Sequence, residues 1–334
     1  MILILTKKTD PHADEVIKEL ARRGVGCFRL NTEDILSKYG TTLHLDAAGR
    51  WQGEIIDETG RKLALEDVRV AWLRKPDFNF TFGRASMDAF SLEFASGEIK
   101  SLIDTLYTLP QIVWINDPFI ANRAKVKYSQ LILAKELGMW IPKTIVTTSP
   151  QEAEKFFREC NGEVLVKSIY TNNVTIHNRN QGMQSAKVGK RDFYSFYESI
   201  SMCPTQLQEY CPKSFELRVT CIGKKIFAVK IDSQRNEETR VDWRAHTRLN
   251  PHSVFNLPQK VVLFCREFMR RQGLQYGAMD FIVTPEGEYV FLENNPFGQY
   301  LWLETETGLP LTKEVAELLV RFTRKKRLPA AKPL

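Results

Sequence analysis

The chain has 334 residues, of which 43% are hydrophobic and 26% charged, and its formal net charge is +7. A chain of this length can bury one large core or two to three subdomains that share a cleft. No apolar run approaches the roughly 20 residues that a membrane-spanning helix needs, so we expect no membrane segment and no membrane partner. The positive charge alone allows a nucleic acid, a nucleotide or an acidic peptide as a partner.

The first residues predict a buried strand rather than a targeting signal. The apolar start, Met1 to Thr6, is too short for a secretory signal, and Lys7 and Lys8 follow it rather than precede it. The six cysteines are scattered, without a Cys-x-x-Cys pair or histidines at zinc spacing, and we interpret them as free thiols. We therefore predict a cytoplasmic protein.

The first hundred or so residues alternate strand and helix patterns. In chain order we predict a strand at 2–5, a helix at 14–23, a strand at 26–30, a hairpin of 43–45 and 51–56, a strand at 68–74 and a helix at 87–107. This order predicts an open α/β domain with a largely parallel sheet. No Gly-x-Gly-x-x-Gly follows the first strand, which argues against an oxidoreductase of the Rossmann type.

The sequence Asn116-Asp117-Pro118 predicts a junction, because this cluster interrupts regular structure. Beyond it we expect a helix at 122–137, a strand at 144–147, a helix that begins at Ser149-Pro150, a strand at 163–167, a mostly β stretch at 205–233, a helix at 259–272, strands at 278–284 and 288–293, and a closing helix at 312–323. We divide the chain into three units, 1–115, 116–204 and 205–334.

The strongest chemical signal is a set of oxygen-bearing side chains on the last two predicted strands. Asp280 lies in an apolar stretch, and Glu293 and Asn295 follow a Pro-Glu-Gly turn. If the two strands pair as a hairpin, alternation places all three side chains on one face. Two carboxylates and an amide oxygen suit Mg²⁺, which combines a few carboxylates with phosphate oxygens and water. The residues predict a magnesium–nucleotide site, and a polar strand end with locally hydrogen-bonded carboxylates is the alternative.

Two lysines and one strand end fit the rest of a nucleotide site. Lys167 ends an apolar strand, Lys127 lies on the helix after the junction, and lysine supplies a point charge to phosphate oxygens. Either lysine alone is more often a solvated surface residue, so the prediction rests on their context. The segment Gln208-Glu209-Tyr210 ends a strand before Pro212, where backbone groups can read an adenine edge and Glu209 can accept a ribose or amino hydrogen.

Two segments repeat the pattern of an acid, a bulky apolar residue and an arginine: Glu216-Leu217-Arg218 and Asp242-Trp243-Arg244. On a strand the acid and the arginine share a face, so the acid can orient the arginine for a bidentate grip on phosphate or carboxylate. A structural salt bridge is the alternative for each segment. Lys230 lies between them in the same β region. Glu216 and Asp242 are also candidates for a general base, and the sequence does not separate a base from a residue that orients an arginine.

Together these residues resemble the ATP-grasp superfamily and, within it, the graspetide synthetases, peptide cyclases of the microviridin type that form esters and amides. The likeness runs from end to end of the chain. Asp280, Glu293 and Asn295 mark the superfamily, whereas the Glu-Leu-Arg, Asp-Trp-Arg and Trp302-Leu303-Glu304 segments point to this branch. The resemblance implies an α/β (α+β) ATP-grasp fold, with an N-terminal open α/β pre-ATP-grasp domain and two subdomains that clamp ATP.

The resemblance also implies roles for the matching residues. Asp280, Glu293 and Asn295 would hold Mg²⁺, and the nucleotide set would comprise Lys127 and Lys167 at the phosphates, Gln208, Glu209 and Tyr210 at the adenine, and Lys230. Arg218 would steady the γ-phosphate and the acyl phosphate, and Arg244 would place the acceptor carboxylate. In such enzymes a Glu or Asp of a ribosomal precursor peptide is phosphorylated. A Thr, Ser or Lys of the same peptide then attacks it, while a leader segment docks away from the reaction.

Some features depart from the usual ATP-grasp pattern. Asn294 stands where an aliphatic residue is usual, so we expect a less regular strand there. The stretch 168–189 has only Gly182 and Gly189 and lacks a clear glycine-rich loop, as the graspetide branch does. The region from Thr171 to Arg191 contains no acid and would suit an acidic precursor. The candidate peptide contacts are Arg179, Lys187, Lys190, Arg191 and Arg74.

Two other readings remain open on the sequence. A glutathione-synthetase-like or glutamate-adding carboxylate–amine ligase would share every ATP residue and differ in its acceptor. A non-catalytic peptide- or nucleotide-binding module is a second alternative, although the intact metal and lysine set argues against it. We expect no nucleic-acid partner, because the basic residues are not interleaved with a reader motif. A homodimer is possible.

Overall fold

The computed structural model describes residues 1–82, 87–169, 185–244 and 250–324, and between 169 and 185 it describes the backbone of two strands alone. The first third of the chain forms β1 (Ile2–Thr6), α1 (Pro11–Arg22), β2 (Cys27–Asn31), β3 (Tyr39–Leu45), β4 (Trp51–Asp57), β5 (Lys62–Ala64), β6 (Val70–Leu73), α2 (Ala89–Tyr107) and β7 (Val113–Ile115). A parallel sheet has the strand order β2-β1-β6-β7, and β3, β4 and β5 form a separate antiparallel sheet. The predicted open α/β domain is confirmed.

Helices cover both faces of the parallel sheet, which explains why β1 is apolar from Ile2 to Leu5. Ile2 and Ile4 pack into the same core as α1, whereas Leu3 and Leu5 point the other way into the core that contains α2. Strands buried on both faces characteristically form such uninterrupted hydrophobic runs. The chain therefore continues from β1 into α1 on one face of the sheet and from the neighbouring β6 into α2 on the other face.

The middle of the chain forms α3 (Pro118–Ala124), α4 (Lys127–Glu136), β8 (Thr144–Thr147), α5 (Pro150–Glu159), β9 (Val164–Lys167), β10 (Asn173–Ile176), β11 (Arg179–Gly182), β12 (Ala186–Val188), α6 (Lys190–Ser195) and β13 (Thr205–Glu209). The prediction of one helix at 122–137 is wrong, because the chain breaks at Val126, which is extended. Gln130 donates its side-chain amide to the carbonyl of Ala124, so the end of α3 is satisfied without a continuing helix. The break places Lys127 in the first turn of α4.

The central antiparallel sheet has the strand order β12-β9-β13-β8. Because β13 pairs with both β8 and β9, a boundary at 204/205 would cut this strand from its own sheet. The side chains of α3 and α4 pack mainly with the C-terminal sheet described next. The three-unit division therefore remains a prediction, and the sheet pairing places the change of sheet after Glu209.

The last third of the chain forms β14 (Phe215–Ile222), β15 (Lys225–Ile231), β16 (His252–Val254), α7 (Gln259–Gln272), β17 (Tyr276–Val283), β18 (Tyr289–Asn295), α8 (Leu301–Thr307) and α9 (Leu311–Arg324). These strands make an antiparallel sheet of order β16-β15-β14-β17-β18. Leu217 and Phe281 face the core that contains α7. Alternation then turns Glu216, Arg218 and Asp280 to the opposite face.

The irregularity expected around Asn294 is confirmed as a β-bulge. Asp280 pairs with Glu293 but Phe281 pairs with Phe291, so the register shifts and one residue of β18 is unpaired. Asn294 itself is 2% exposed and faces the packed side, where its amide nitrogen Nδ2 donates to Gln272 at 2.9 Å. This partner explains how an amide can occupy a buried position that is usually aliphatic.

Within the described residues, no helix has both the length and the apolar composition that spanning a bilayer requires.

Candidate active site

A cleft between the central and C-terminal sheets brings together most of the residues singled out in the sequence. Predicted site residues that line it are Lys127, Lys167, Gln208, Glu209, Tyr210, Glu216, Asp242, Arg244, Asp280 and Glu293. They come from α4, from both sheets and from the segment after β15, so their proximity is a product of the tertiary fold.

The three predicted metal ligands lie on one face of the β17–β18 hairpin. Asp280 is directly opposite Glu293, and Asn295, two residues further along β18, is opposite Ala278. Asp280 accepts two hydrogen bonds from Nη1 of Arg218, at 2.9 and 3.0 Å. Glu293 has longer ion pairs, with Nζ of Lys127 at 3.6 Å and Nη1 of Arg244 at 3.9 Å.

The two carboxylates differ in proton affinity because their neighbours differ. Burial raises the pKa of Asp280 more than Arg218 lowers it, and the negative charge of Glu293 adds to the rise. Burial also acts to raise the pKa of Glu293, but Lys127, Arg244 and Lys167 outweigh it and lower that pKa. Glu293 is therefore the carboxylate that the surrounding cations keep ionised.

The chemistry of this face fits Mg²⁺ bound together with a phosphate. No group of three or more His, Cys, Asp or Glu side chains occurs in the described parts of the chain, so the protein offers two carboxylates and one amide. Mg²⁺ usually takes few protein ligands and completes its shell with water and substrate phosphates. The Glu293 carboxylate accepts no hydrogen bond from any described residue, which leaves its oxygens available. Asn295 accepts one bond from the Phe297 amide, at 2.9 Å, and retains a second lone pair.

Two lysines face the same part of the cleft. Nζ of Lys127 donates to the carbonyl of Ser168 at 3.1 Å, and Nζ of Lys167 donates to the side-chain oxygen of Gln208. Burial lowers the pKa of Lys167 to about 8, with Arg244 and Lys127 adding to the effect and Glu293 opposing it. The negative charge of a bound polyphosphate would offset the effect of these neighbouring cations on the pKa of Lys167.

Nucleotide affinity is expected to depend on pH through Lys167. Phosphate binding favours the charged amine, whose pKa is about 8 in the cleft. Below this pH the amine is already charged, and above it binding must take up a proton, so affinity for MgATP should fall, approaching about tenfold per pH unit. Isothermal titration of MgATP across this range measures the effect. Lys167→Arg keeps the charge and should flatten the profile, and an equally steep fall in that variant would contradict the assignment.

The end of β13, for which we predicted an adenine contact, forms another part of the cleft. Nε2 of Gln208 donates to the Thr144 hydroxyl at 2.9 Å, and Oε2 of Glu209 accepts from the Lys143 amide at 3.1 Å. The Tyr210 amide donates to the carbonyl of Glu163 at 2.8 Å. Sequence reasoning missed the apolar walls here, since such residues look like ordinary core: Leu131, Pro142, Leu165, Ile282 and Leu292.

The two acid–x–arginine segments behave differently in the structure. Asp242 holds Arg244 as expected, accepting from Nε at 2.8 Å and from Nη2 at 2.9 Å. Glu216 instead accepts from Nζ of the buried Lys213 at 2.6 Å, so its expected pairing with Arg218 is wrong. The reason is register, because Asp280 is the direct cross-strand neighbour of Arg218 and takes its guanidinium.

Glu216 and Asp242 also differ in proton affinity. Burial raises the pKa of Glu216, although Lys213 opposes the shift. For Asp242 burial acts in the same direction, but the Arg244 guanidinium and the Ser185 amide hold its pKa at about 2. Asp242 is thus a carboxylate that orients an arginine, whereas Glu216 retains affinity for a proton.

The structure does not bring Lys230 into the cleft. Lys230 pairs with Leu217 across the β14–β15 ladder, so its side chain lies on the packed face of the sheet, away from Arg218. Its Nζ is 4.6 Å from the centre of the Phe215 ring. A direct contact with bound nucleotide would require the other face.

The candidate peptide contacts are dispersed. Arg74 is 2% exposed and donates to the carbonyl of Phe297 at 2.6 Å, so the expectation that it touches a peptide directly is wrong. Lys187 pairs with Glu163 and lies 4.1 Å from the ring centre of Tyr210, just after the end of β13. Lys190 and Arg191 are exposed at the start of α6. The Arg179 side chain lies outside the described residues.

Two further residues shape the site although the sequence did not single them out. Lys213 joins Glu216 to the carbonyl of Val241, next to Asp242. Gly298 packs so closely that a Cβ there would lie 2.8 Å from Nη2 of Arg218 and 2.3 Å from Cβ of Ala278. A glycine at this position therefore leaves room for Arg218. The stretch after Asn295 carried the resemblance, but nothing in its spacing revealed this contact.

Known proteins are similar to this chain in its N-terminal region and in its overall fold. Residues 1–121 match the family model described as the MvdD pre-ATP grasp domain. The structure is similar to a RiPP-associated ATP-grasp ligase of Chryseobacterium gregarium in complex with ADP and a leader and core peptide, with 28% identity, a TM-score of 0.89 and 99% of each chain covered. No match was found among curated proteins.

Two further solved structures have the same fold. The macrocyclase MdnC of Microcystis aeruginosa MRC, bound with the precursor peptide MdnA, is 29% identical, with a TM-score of 0.85 and coverage of 96% of this chain and 99% of that one. The ATP-grasp ligase PsnB, complexed with minimal precursor, Mg and ADP, is 19% identical, with a TM-score of 0.75 and coverage of 97% and 98%. The predicted ATP-grasp fold and the resemblance to peptide-maturing members are confirmed.

Proposed function

We propose that this chain, an ATP-grasp ligase of the graspetide-synthetase type, phosphorylates Glu or Asp side chains of a ribosomal precursor peptide and joins them to Thr, Ser or Lys of the same peptide. The observation that carries the proposal is the opposed pair Asp280 and Glu293, set among cations in the cleft of this fold. The peptide-bound relatives favour a peptide over a small-molecule acceptor, such as that of glutathione-synthetase-like ligases.

The arrangement suits activation of a carboxylate. A carboxylate oxygen attacks the γ-phosphorus of ATP, ADP leaves, and the acyl phosphate then has a good leaving group. A hydroxyl or amine attacks the acyl carbon, phosphate leaves, and the nucleophile gives up a proton, so each new bond removes one water overall. Such reactions depend chiefly on positioning and on neutralising charge.

The cleft residues divide this work by position. Asp280, Glu293 and Asn295 would hold Mg²⁺, which when bound neutralises phosphate charge. Lys127 and Lys167 add positive charge near this face. Arg218 binds Asp280 and would steady the transferred phosphoryl group. Arg244, fixed by Asp242, would bind the acceptor carboxylate.

Of the two acids left open by the sequence, Glu216 is the better candidate for the general base. Its pKa is raised by burial, whereas the pKa of Asp242 is held at about 2. A general base is most effective when its pKa approaches the working pH. Lys213, which donates to Glu216, would tune this proton affinity.

The remaining predictions concern context. The six cysteines are all free, which supports a reducing compartment such as the cytoplasm. A precursor rich in Thr and Glu, with a leader segment, is the proposed partner. The homodimer stays a prediction.

The test is incubation of the enzyme with ATP, Mg²⁺ and candidate precursor peptides, chosen as acidic, Thr-rich reading frames beside its gene, followed by mass spectrometry and an ADP assay. The expected result is peptide-dependent ADP release and loss of one water per bond formed. Fragmentation then locates each ester or amide. Adenosine triphosphate hydrolysis without any change in peptide mass, or addition of a free amino acid to the peptide, would contradict the proposal.

A further inference from the structure

The N-terminal parallel sheet contains a topological switch point. From β1 the chain turns through α1 to β2 on one side, and from β6 it turns through α2 to β7 on the other. Because α1 and α2 lie on opposite faces, the chain leaves β1 and β6 in opposite directions. In open α/β sheets this divergence forms a crevice at the carboxyl ends of the two strands. In open α/β sheets, ligands bind at such a position.

The residues at this crevice are cationic. Lys7 follows β1, and Arg74 and Lys75 follow β6. Partial burial of the Lys75 amine lowers its pKa, and the charges of Lys7 and Arg74 lower it further, whereas Asp10 and Asp77 act to raise it. The three cations are therefore close enough to repel one another.

Asp10 neutralises only the deepest of these cations. It is 2% exposed, accepts from the Thr6 hydroxyl at 2.7 Å and lies 3.6 Å from Nε of Arg74. Lys7 is half-buried and Lys75 is exposed, and neither forms an ion pair with a described residue. Arg74 lies deepest, and Lys7 and Lys75, which make no close ion pair within the described residues, lie nearer the surface.

The crevice borders the candidate active site. Nη1 of Arg74 donates to the carbonyl of Phe297, and the next residue, Gly298, packs against Arg218. His12, after the same β1 loop, accepts a hydrogen bond from the amide of Tyr300 at 3.0 Å. The loop 296–300 is thus held between the N-terminal crevice and the arginine that binds Asp280.

We propose that the crevice between the ends of β1 and β6 is a subsite for an acidic side chain of the substrate peptide, which Lys7 and Lys75 bind while Arg74 holds the intervening loop. The inference rests on the proposed function, because it supplies the acidic peptide. The subsite would select peptides with a second carboxylate near the one that is phosphorylated. In this proposal Lys7 and Lys75 contact the peptide, in place of the direct contact that we first expected of Arg74.

The test uses full-length enzyme and fluorescein-labelled hexaglutamate, with labelled hexaglutamine as the neutral probe, and measures anisotropy without ATP. Lys7→Glu combined with Lys75→Glu is expected to weaken hexaglutamate binding by about tenfold or more, with MgATP affinity unchanged within about twofold. The matched control is two-site charge reversal at Lys18 and Lys62. Both control lysines lie away from the crevice. Lys62 is next to Arg61, which donates to the Cys27 carbonyl at the opposite end of the parallel sheet. Lys18 lies on the exposed side of α1.

Equal hexaglutamate affinity in the Lys7/Lys75 and control variants would overturn the inference, as would hexaglutamine binding as tightly as hexaglutamate to the parent enzyme. If the charge reversal lowers the melting temperature, the Lys7→Gln/Lys75→Gln variant removes the charges with less repulsion and should still weaken binding several-fold. Because no turnover is needed, the result is separate from the proposed function. That function fails only if the unsubstituted enzyme does not modify its peptide.

Discussion

Replacement of Glu293 by glutamine is expected to lower kcat for peptide modification by about 100-fold or more, since charge neutralisation by a bound cation contributes several kcal/mol to such reactions. Glu293 is the carboxylate that neighbouring cations keep ionised, and it accepts no hydrogen bond from a described residue. Its loss therefore removes a ligand without breaking a close structural contact. Steady-state ADP release with the precursor peptide measures the effect.

The matched control for this variant is Glu288→Gln. Glu288 lies just before β18 on the same hairpin, is partly exposed, and its ion pair with Lys260 is long, at 3.8 Å. We expect less than about a twofold change, because exposed pairs of this kind contribute little. If both variants retain the parent kcat, Glu293 holds no metal needed for the reaction.

Replacement of Arg218 by methionine is expected to have an effect of similar size, about 100-fold or more on kcat, with a smaller effect on MgATP binding. Donors aimed at developing charge typically contribute this much. The substitution also leaves Asp280 buried without its bidentate partner, so the melting temperature should fall and Mg²⁺ should restore part of it. Rapid-quench measurement of ADP formation separates chemistry from binding.

Two more variants distinguish charge from geometry at Arg218. Arg218→Lys keeps the ion pair with Asp280 but removes the planar fork, so stability should recover while kcat stays low. Gly298→Ala leaves Arg218 in place in the sequence but crowds its Nη2, and should lower kcat about tenfold or more. Gly97→Ala, in the exposed part of α2 with nothing near its Cβ, is the control. Normal kcat in both Arg218→Lys and Gly298→Ala would show that the position of the guanidinium does not matter.

The shared face of Asp280, Glu293 and Asn295 could be predicted from the sequence because it depends on local rules. Strand alternation and one tight turn are sufficient to place Asp280, Glu293 and Asn295 together once the strands pair. The apolar β1 and the order of strands and helices likewise predicted the parallel sheet. For the face on β17 and β18 the signal lies within the 16 residues from Asp280 to Asn295.

The predictions that were wrong concern contacts between segments that are distant in the sequence. Glu216 and Arg218 share a face as expected, but they do not pair with each other. Glu216 pairs with Lys213 from the loop before β14, and strand register places Arg218 opposite Asp280. The break between α3 and α4 has no glycine or proline, and the side chain of Gln130 satisfies it from the next turn. Arg74 looked like a surface cation because the strand end gives no sign of the loop that buries it.

We propose that the Asp280–Glu293 face holds a divalent cation that anchors the nucleotide phosphates. The most direct test is calorimetric titration of ATP into the enzyme with excess Mg²⁺ and with EDTA, for the parent chain and for Glu293→Gln. We expect Mg²⁺ to strengthen ATP binding to the parent chain by about tenfold or more, and Glu293→Gln to remove most of this gain. Equal affinity with and without Mg²⁺, or the same Mg²⁺ dependence in both proteins, would contradict it.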